Sequence, residues 1–407
     1  MNKSKGRKSL KLFITILFIA GLLLSFKLLE PIFVYNFGWN KFENRNPPPL
    51  ETQIFNEQWK VQGELANDVV NKLYSKIDSP ALSVAVSVDG KMAWRAATGY
   101  ADLENRSPVS LEHAFRIGST SKAITAVAIA SLVDQGKLSF DTMLGDLDPA
   151  LADALKGITL EQAMSHRAGI RNYGLCFCFP IWEHLNRKHF GTLRESIEVI
   201  ESSPLLTPPG QNYSYTSLGF NLVGMAVTKS TQESFSIAVK KQILTPLGMH
   251  NTYIEDGSNS DALKAKPYEI ENARYKPTFH VDQSIRWPSG GFLSTPSDMV
   301  KLGNTMLDDR FLSKAVQQQL LTIPENGRTN GGQIYALGWR VSDWTLASKD
   351  KIKSYHHNGV SVGGISVFVV FPEQKIVISA MTNKNGTNAS DLTPIINELL
   401  PIFSTQE

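Results

Sequence analysis

Phe115-Arg116-Ile117-Gly118-Ser119-Thr120-Ser121-Lys122 runs directly into Ala123-Ile124-Thr125-Ala126-Val127-Ala128-Ile129-Ala130-Ser131-Leu132-Val133, and Asp134-Gln135-Gly136 follows. After Lys122 the only polar residues before Asp134 are Thr125 and Ser131. That pattern predicts a helix buried on nearly all sides and stopped by a C-terminal glycine. Ser119 falls at or just before the first turn, and Lys122 follows three residues on, so a helix brings hydroxyl and amine to one face. A buried helix start also offers free backbone N–H groups and the positive end of the dipole. A nucleophile there has a proton acceptor beside it and an anion-stabilising pocket beneath it.

A Ser-x-x-Lys pattern by itself is weak evidence. The chain holds a second, Ser348-Lys349-Asp350-Lys351, in a polar stretch with no apolar helix behind it. Context therefore selects the first pair and reads the second as surface.

Working outward, Leu82-Ser83-Val84-Ala85-Val86-Ser87-Val88 alternates apolar and small polar residues, Asp89-Gly90 makes a turn, and Met92 to Thr98 returns, which predicts a hairpin. Strands reappear near the other end at Gly364 to Phe371 and Lys375 to Thr382, joined by Pro372-Glu373-Gln374. An amphipathic helix is expected at about Trp59 to Ser75 and a last helix at about Ser390 to Leu400. Between the two sets of strands the chain reads as helices and long loops. The fold expected is α/β of the α+β type: one antiparallel sheet built from N- and C-terminal strands, flanked by helices, with a mainly helical lobe inserted.

The 407 residues, 42% hydrophobic and 19% charged, suffice for one large domain with a sizeable core. The net charge of +3 is small, with Lys3, Lys5, Arg7, Lys8 and Lys11 clustered at the start, and no basic, aromatic-interleaved patch points to nucleic acid. Leu12 to Phe26 is an uncharged Leu-, Ile- and Phe-rich run with no Ala-x-Ala-like site after it. Residues 1–39 are therefore expected to be an uncleaved signal-anchor, with a cleaved signal peptide as the alternative. The catalytic part is then extracytoplasmic and membrane-anchored, or secreted if the segment is removed. Residues 40–58, with Pro47-Pro48-Pro49, read as a tether, and residues 59–404 as the folded domain. The only cysteines, Cys176 and Cys178, are one residue apart, poor geometry for a mutual disulfide, and read as two buried thiols near a loop. No His-Glu-x-x-His is present and the eight histidines form no ligand-like cluster, so neither metal nor cofactor is expected.

Three further stretches accompany Ser119. In Pro208-Pro209-Gly210-Gln211-Asn212-Tyr213-Ser214-Tyr215-Thr216-Ser217, a turn and a helix starting near Ser217 would put Tyr215 at a loop tip. A tyrosine of ordinary pKa is a poor base, but beside a lysine it can share a proton relay. In His356-His357-Asn358-Gly359-Val360, a His-x-Gly on a strand edge can line a cleft, because glycine lets a substrate backbone approach. His189-Phe190-Gly191 matches the same tripeptide, so its strand context is what carries meaning. Trp287-Pro288-Ser289-Gly290-Gly291-Phe292-Leu293-Ser294-Thr295-Pro296 reads as structural, a glycine turn followed by a helix capped by Thr295.

Ser119-Thr120-Ser121-Lys122, Tyr215-Thr216-Ser217 and His357-Asn358-Gly359 occur in the order and spacing of the serine β-lactamase-like superfamily, which the chain resembles from about residue 65 to 400. That superfamily includes class C β-lactamases, low-molecular-weight penicillin-binding proteins, D-aminopeptidases and esterases. Ser165-His166-Arg167-Ala168-Gly169-Ile170, Pro209-Gly210, Pro246-Leu247-Gly248-Met249 and Gly290-Gly291-Phe292-Leu293-Ser294-Thr295 are similar to further landmarks. Gly169-Ile170-Arg171-Asn172-Tyr173 is most similar to the mitochondrial serine β-lactamase-like branch and its bacterial relatives.

The resemblance implies a β-lactamase/transpeptidase-like fold and an acyl-enzyme on Ser119. Lys122 and Tyr215 would share acid/base work, and at this point either can be the acylation base. The backbone N–H groups of Ser119 and Val360 would form the oxyanion hole. Ser217, His357, Gly359 and Val360 would contact a small-molecule or peptide substrate. Ser217 stands where many relatives have Asn, and His357 where β-lactamases carry a Lys that meets the substrate carboxylate. Amide, peptide or ester hydrolysis is thus expected ahead of efficient β-lactam hydrolysis. The competing expectations are a membrane-tethered penicillin-recognising or peptide-binding module with little turnover, and a scaffold that keeps the fold.

Overall fold

A computed structural model describes residues 3–41, 47–174, 183–256, 263–325, 334–346, 348–386 and 388–404. The reading of Cys176 and Cys178 lies outside the described residues. The centre is an antiparallel sheet of eight strands. Seven run in the order Arg340–Thr345, Lys351–Ser361, Gly364–Phe371, Ile376–Thr382, Ala81–Val88, Lys91–Asp102 and Glu51–Ile54, and the short Ser107–Pro108 also pairs with Lys91–Asp102. Strands from both ends of the chain meet where Ile376–Thr382 pairs with Ala81–Val88, Ile378 opposite Val86. Asp89 and Gly90 both take positive φ, +50° and +74°, the backbone that a tight hairpin turn needs and that Gly adopts without strain.

Leu82–Val88 alternates apolar and small polar residues, and every residue of Ala81–Val88 is buried. Leu82, Val84, Val86 and Val88 pack with the helices Lys60–Ile77 and Thr393–Ser404. The opposite face, with Ala81, Ala85 and small serines, lies under the helix Pro296–Asn304, whose Asn304 Oδ1 accepts from Ser87 Oγ at 2.7 Å. Serine fits here because a helix, not water, covers it. Thr295 caps that helix, accepting from the Asp298 N–H at 3.1 Å, with Pro296 in the first turn.

The helical lobe between the strands contains Ser121–Asp134, Leu193–Glu201, Phe220–Thr231 and Lys314–Leu321, gathered in one apolar core. The helix Ser121–Asp134 is buried from Ser121 through Leu132 and ends before Gly136, whose φ is +69°.

Within the Pro-containing stretch after the N-terminal segment, Glu51–Ile54 adds the edge strand beside Lys91–Asp102. Asn40–Lys41 pairs with Arg274–Tyr275. The N-terminal helix Lys3–Asn36 leaves Leu12, Phe13, Phe18 and Leu23 more than half exposed. Among the described residues, no helix is long and apolar enough to cross a membrane.

One local arrangement positions the site. Arg340–Thr345 covers the strand Lys351–Ser361 only as far as His356. Beyond it, the uncovered side of His357–Ser361 receives the turn Ile117–Thr120. A Cβ on Gly359 would stand 1.8 Å from Ile117 O, and one on Gly118 would stand 2.5 Å from Val360 O. Only glycine permits that approach. Ser366 and Thr120 tie the two segments together: Ser366 Oγ donates to Ile117 O at 2.8 Å and lies 2.7 Å from Thr120 Oγ1.

Candidate active site

Every residue from Ala114 to Leu132 is buried except Ser119. Gly118–Thr120 forms a single 3-10 turn leading into the buried helix, so Ser119 is presented where the chain changes direction. Gly118 takes φ +49° there.

Lys122 has no exposed surface. Its Nζ lies 3.3 Å from Ser119 Oγ, 3.2 Å from Ser217 Oγ and 3.0 Å from the Ser289 carbonyl. Tyr215 and Phe220 turn ring faces towards it, 4.8 and 5.6 Å from Nζ to the centroids. Burial, and then the charges of Arg340 and Arg286, hold the amine's pKa well below its ordinary value. Among the described residues no carboxylate offsets these effects. The carbonyl of Ser289 can only accept, so Lys122 donates to it; in its neutral form the amine can also donate to Ser217 and still offer a lone pair to the hydroxyl of Ser119.

Tyr215 is half-buried and packed, not at a loop tip as the sequence suggests, because the helix after it starts only at Phe220. Its ring lies 4.2 Å from that of His166 and 6.0 Å from that of Tyr335. Burial pushes its pKa above the ordinary tyrosine value, while a hydrogen bond with Ser119 opposes that shift. Tyr215 therefore keeps its proton at neutral pH and can donate it.

Ser217 is buried, its N–H donating to Asn172 Oδ1 at 3.0 Å. Val360 is half-buried and lines a cavity of about 430 Å³ beside the nucleophile's turn. His357 departs from expectation. Its side chain is fully buried, with Nε2 3.0 Å from the Tyr335 hydroxyl and Nδ1 2.8 Å from the Asn358 carbonyl. Burial, and then Arg340 and Lys122, depress its pKa far below the histidine norm. An enclosed neutral imidazole offers no surface to a substrate carboxylate; it braces the strand instead. The alternative pair is surface: Ser348 and Lys351 are exposed at the hairpin end, with Ser348 Oγ donating to Asp350 at 2.7 Å.

Sequence reasoning missed several contributors. Ser289, in the stretch read as structural, supplies the carbonyl that holds Lys122. Arg286 and Arg340 set the local potential, yet neither carried a pattern. His166 was visible only as a landmark. It sits at φ +59°, fully buried, its Nδ1 accepting from the Thr216 N–H at 3.3 Å and its ring against Tyr215. A non-glycine residue in that region marks a position the surroundings dictate.

The chain is 26% identical over 396 aligned residues to the mitochondrial serine beta-lactamase-like protein LACTB of Homo sapiens, covering 76% of this chain and 72% of that protein. It is 28% identical to penicillin-binding protein 4 of Amycolatopsis lactamdurans, covering 79% and 85%. Among solved structures, the penicillin-binding protein homologue from Pyrococcus abyssi superposes with a TM-score of 0.69 at 24% identity, over 83% of this chain and 77% of that one. The D-amino acid amidase from Ochrobactrum anthropi gives 0.70 at 18%, over 84% and 99%. These two likenesses establish the β-lactamase/transpeptidase fold. The beta-lactamase family model matches residues 66–400, a span that takes in the sheet, the helical lobe and the whole cluster around Ser119, and the chain belongs to that family.

Proposed function

We propose that the protein is a serine hydrolase that works through an acyl-enzyme on an amide, peptide or ester. One observation carries this reading: the single partly exposed residue in a buried run, Ser119, lies 3.3 Å from a buried lysine that no carboxylate among the described residues keeps charged. Core packing has no use for that pairing, whereas an activated nucleophile requires it. Ser119 Oγ attacks the substrate carbonyl and its proton passes to Lys122 Nζ. The carbonyl oxygen becomes an oxyanion facing the N–H groups of Ser119 and Val360, a pairing that the close approach of Gly118 to Val360 supports. As the tetrahedral intermediate collapses, the bond to the leaving group breaks and that group takes a proton from Lys122 or through Tyr215. A water then attacks the ester on Ser119, giving its proton to the same base, and Ser119 is regenerated as the acid departs.

This assigns the base to Lys122 and leaves Tyr215 as donor. The short Ser217 and the enclosed His357 favour open-chain amides and esters over β-lactams. For placement, we propose that the N-terminal helix anchors the chain with the catalytic domain extracytoplasmic. The basic start and the exposed Leu12, Phe13, Phe18 and Leu23 support this. A fluorophosphonate probe followed by peptide mass spectrometry tests the chemistry: the adduct belongs on Ser119, and a protein that stays unlabelled and hydrolyses no member of a small ester panel refutes it.

A further inference from the structure

The cavity beside Val360 holds a charge that touches no reacting group in the acyl transfer, acting there only through its field at Lys122. It is lined by Tyr173, His184, Phe279, Arg286, Val360 and Ser361. The stem of Arg286 starts next to the nucleophile's turn: a Cβ on Gly290 would meet Arg286 Cδ at 3.4 Å and Gly118 C at 3.8 Å. From there the guanidinium lies 4.9 Å from the Tyr173 ring centroid, and Nη2 donates to the His184 carbonyl.

The acidic residue on the cavity wall, and two others on the neighbouring segments, are paired with other cations. Glu269, also on its wall, pairs with Lys276 at 3.2 Å. Glu183 pairs with Arg171 at 2.7 Å, and Glu255 with Arg116 at 2.7 Å and with Lys264. Among the described residues no carboxylate pairs with Arg286. A half-buried guanidinium on an aromatic face, in a space of substrate size, lacks the anion its planar fork is shaped to take. His357 cannot supply anion recognition from the strand side, because it is enclosed and held neutral.

We propose that Arg286 forms a subsite for a carboxylate on the substrate, so that the enzyme acts on acyl compounds bearing a negative charge. This rests on the acyl-enzyme reading above and names its substrate class. The enclosing surfaces, Tyr173 and Phe279, suit an apolar or aromatic body behind the carboxylate.

The test uses a matched pair of esters, 3-acetoxybenzoate and 3-acetoxybenzamide, each corrected for its rate with hydroxide. The wild type is expected to favour the carboxylate member by about tenfold in kcat/KM, the scale of one charge-assisted hydrogen bond. Arg286→Gln should erase the preference, the carboxylate member losing its KM advantage while any change in kcat through Lys122 falls on both esters alike, and Arg286→Lys should retain part of it. Equal rates in the wild type, or a preference that survives in Arg286→Gln, overturn the proposal. Calorimetry on a Ser119→Ala background separates this from the reaction itself. There 3-hydroxybenzoate should bind more tightly than 3-hydroxybenzamide, and adding Arg286→Gln should abolish the difference. No discrimination in that titration overturns the subsite even if Ser119 is acylated. Discrimination without any labelling of wild-type Ser119 upholds the subsite and removes the hydrolase reading.

Discussion

Replacing Lys122 by Met tests the ionisation on which the mechanism depends. Met keeps length and apolar bulk but cannot take a proton. In the native protein burial, Arg340 and Arg286 all hold the Lys122 amine well below its ordinary pKa, while in the unfolded chain it stays protonated to about pH 10.4. Between those two values the unfolded state binds one more proton than the folded state. Stability contributed at this position therefore rises with pH by about 1.4 kcal/mol per unit, and is lost as pH falls towards the depressed native value. His113, His166, His184, His356 and His357 are also depressed, but their contributions are complete above about pH 6.5. The window from pH 7.5 to 9.5 thus isolates the lysine, and other titrations cancel between the two proteins. Urea unfolding followed by tryptophan fluorescence should show the wild type gaining steadily on Lys122→Met as pH rises through those two units, by up to about 3 kcal/mol. Met also leaves the Ser289 carbonyl without its donor, a pH-independent cost of about 1–3 kcal/mol. The slope, not the offset, is therefore the readout. Parallel stability profiles would mean a charged native ammonium, and the assignment of Lys122 as base would fall.

Ser119→Ala should abolish fluorophosphonate labelling and ester turnover with the melting temperature little changed, whereas Ser348→Ala, at an exposed hairpin end, should leave both as they were; mass spectrometry and a melting curve decide. Gly359→Ala forces a Cβ to within 1.8 Å of a backbone carbonyl, so it should cost at or above the usual 1–3 kcal/mol of overpacking and slow labelling. Gly191→Ala, with nothing nearer than 3.6 Å, should be close to neutral in the same unfolding assay. His357→Lys should lower the melting temperature without improving the affinity for benzoate, because it places a second amine in an enclosed space already near Lys122. The anchor proposal expects full-length protein to stay in membranes through a carbonate wash, and its release into the soluble fraction would refute the anchor.

The sequence by itself determined the elements whose signals are local. The Ala- and Ile-rich run after Lys122 has no polar face, so it had to be a buried helix, and the i, i+3 spacing brought Ser119 and Lys122 together once that helix existed. Asp89-Gly90 and Pro372-Glu373-Gln374 each marked a reversal between β-rich runs, and both hairpins formed there. Local pattern could not show which surfaces would be covered. Leu82–Val88 showed its alternation of apolar residues and serines, and only the docking of Pro296–Asn304 decided that the serine face is covered too. Tyr215 and His357 were readable as members of the cluster but not in their surroundings, since burial is set by His166, Tyr335 and the strand ladder, residues far away in the chain. The protonation state of Lys122 was likewise a tertiary decision. A lysine is charged by default, and desolvation, together with two guanidiniums from unpatterned positions 286 and 340, lowers its pKa in the direction that the proposed base requires.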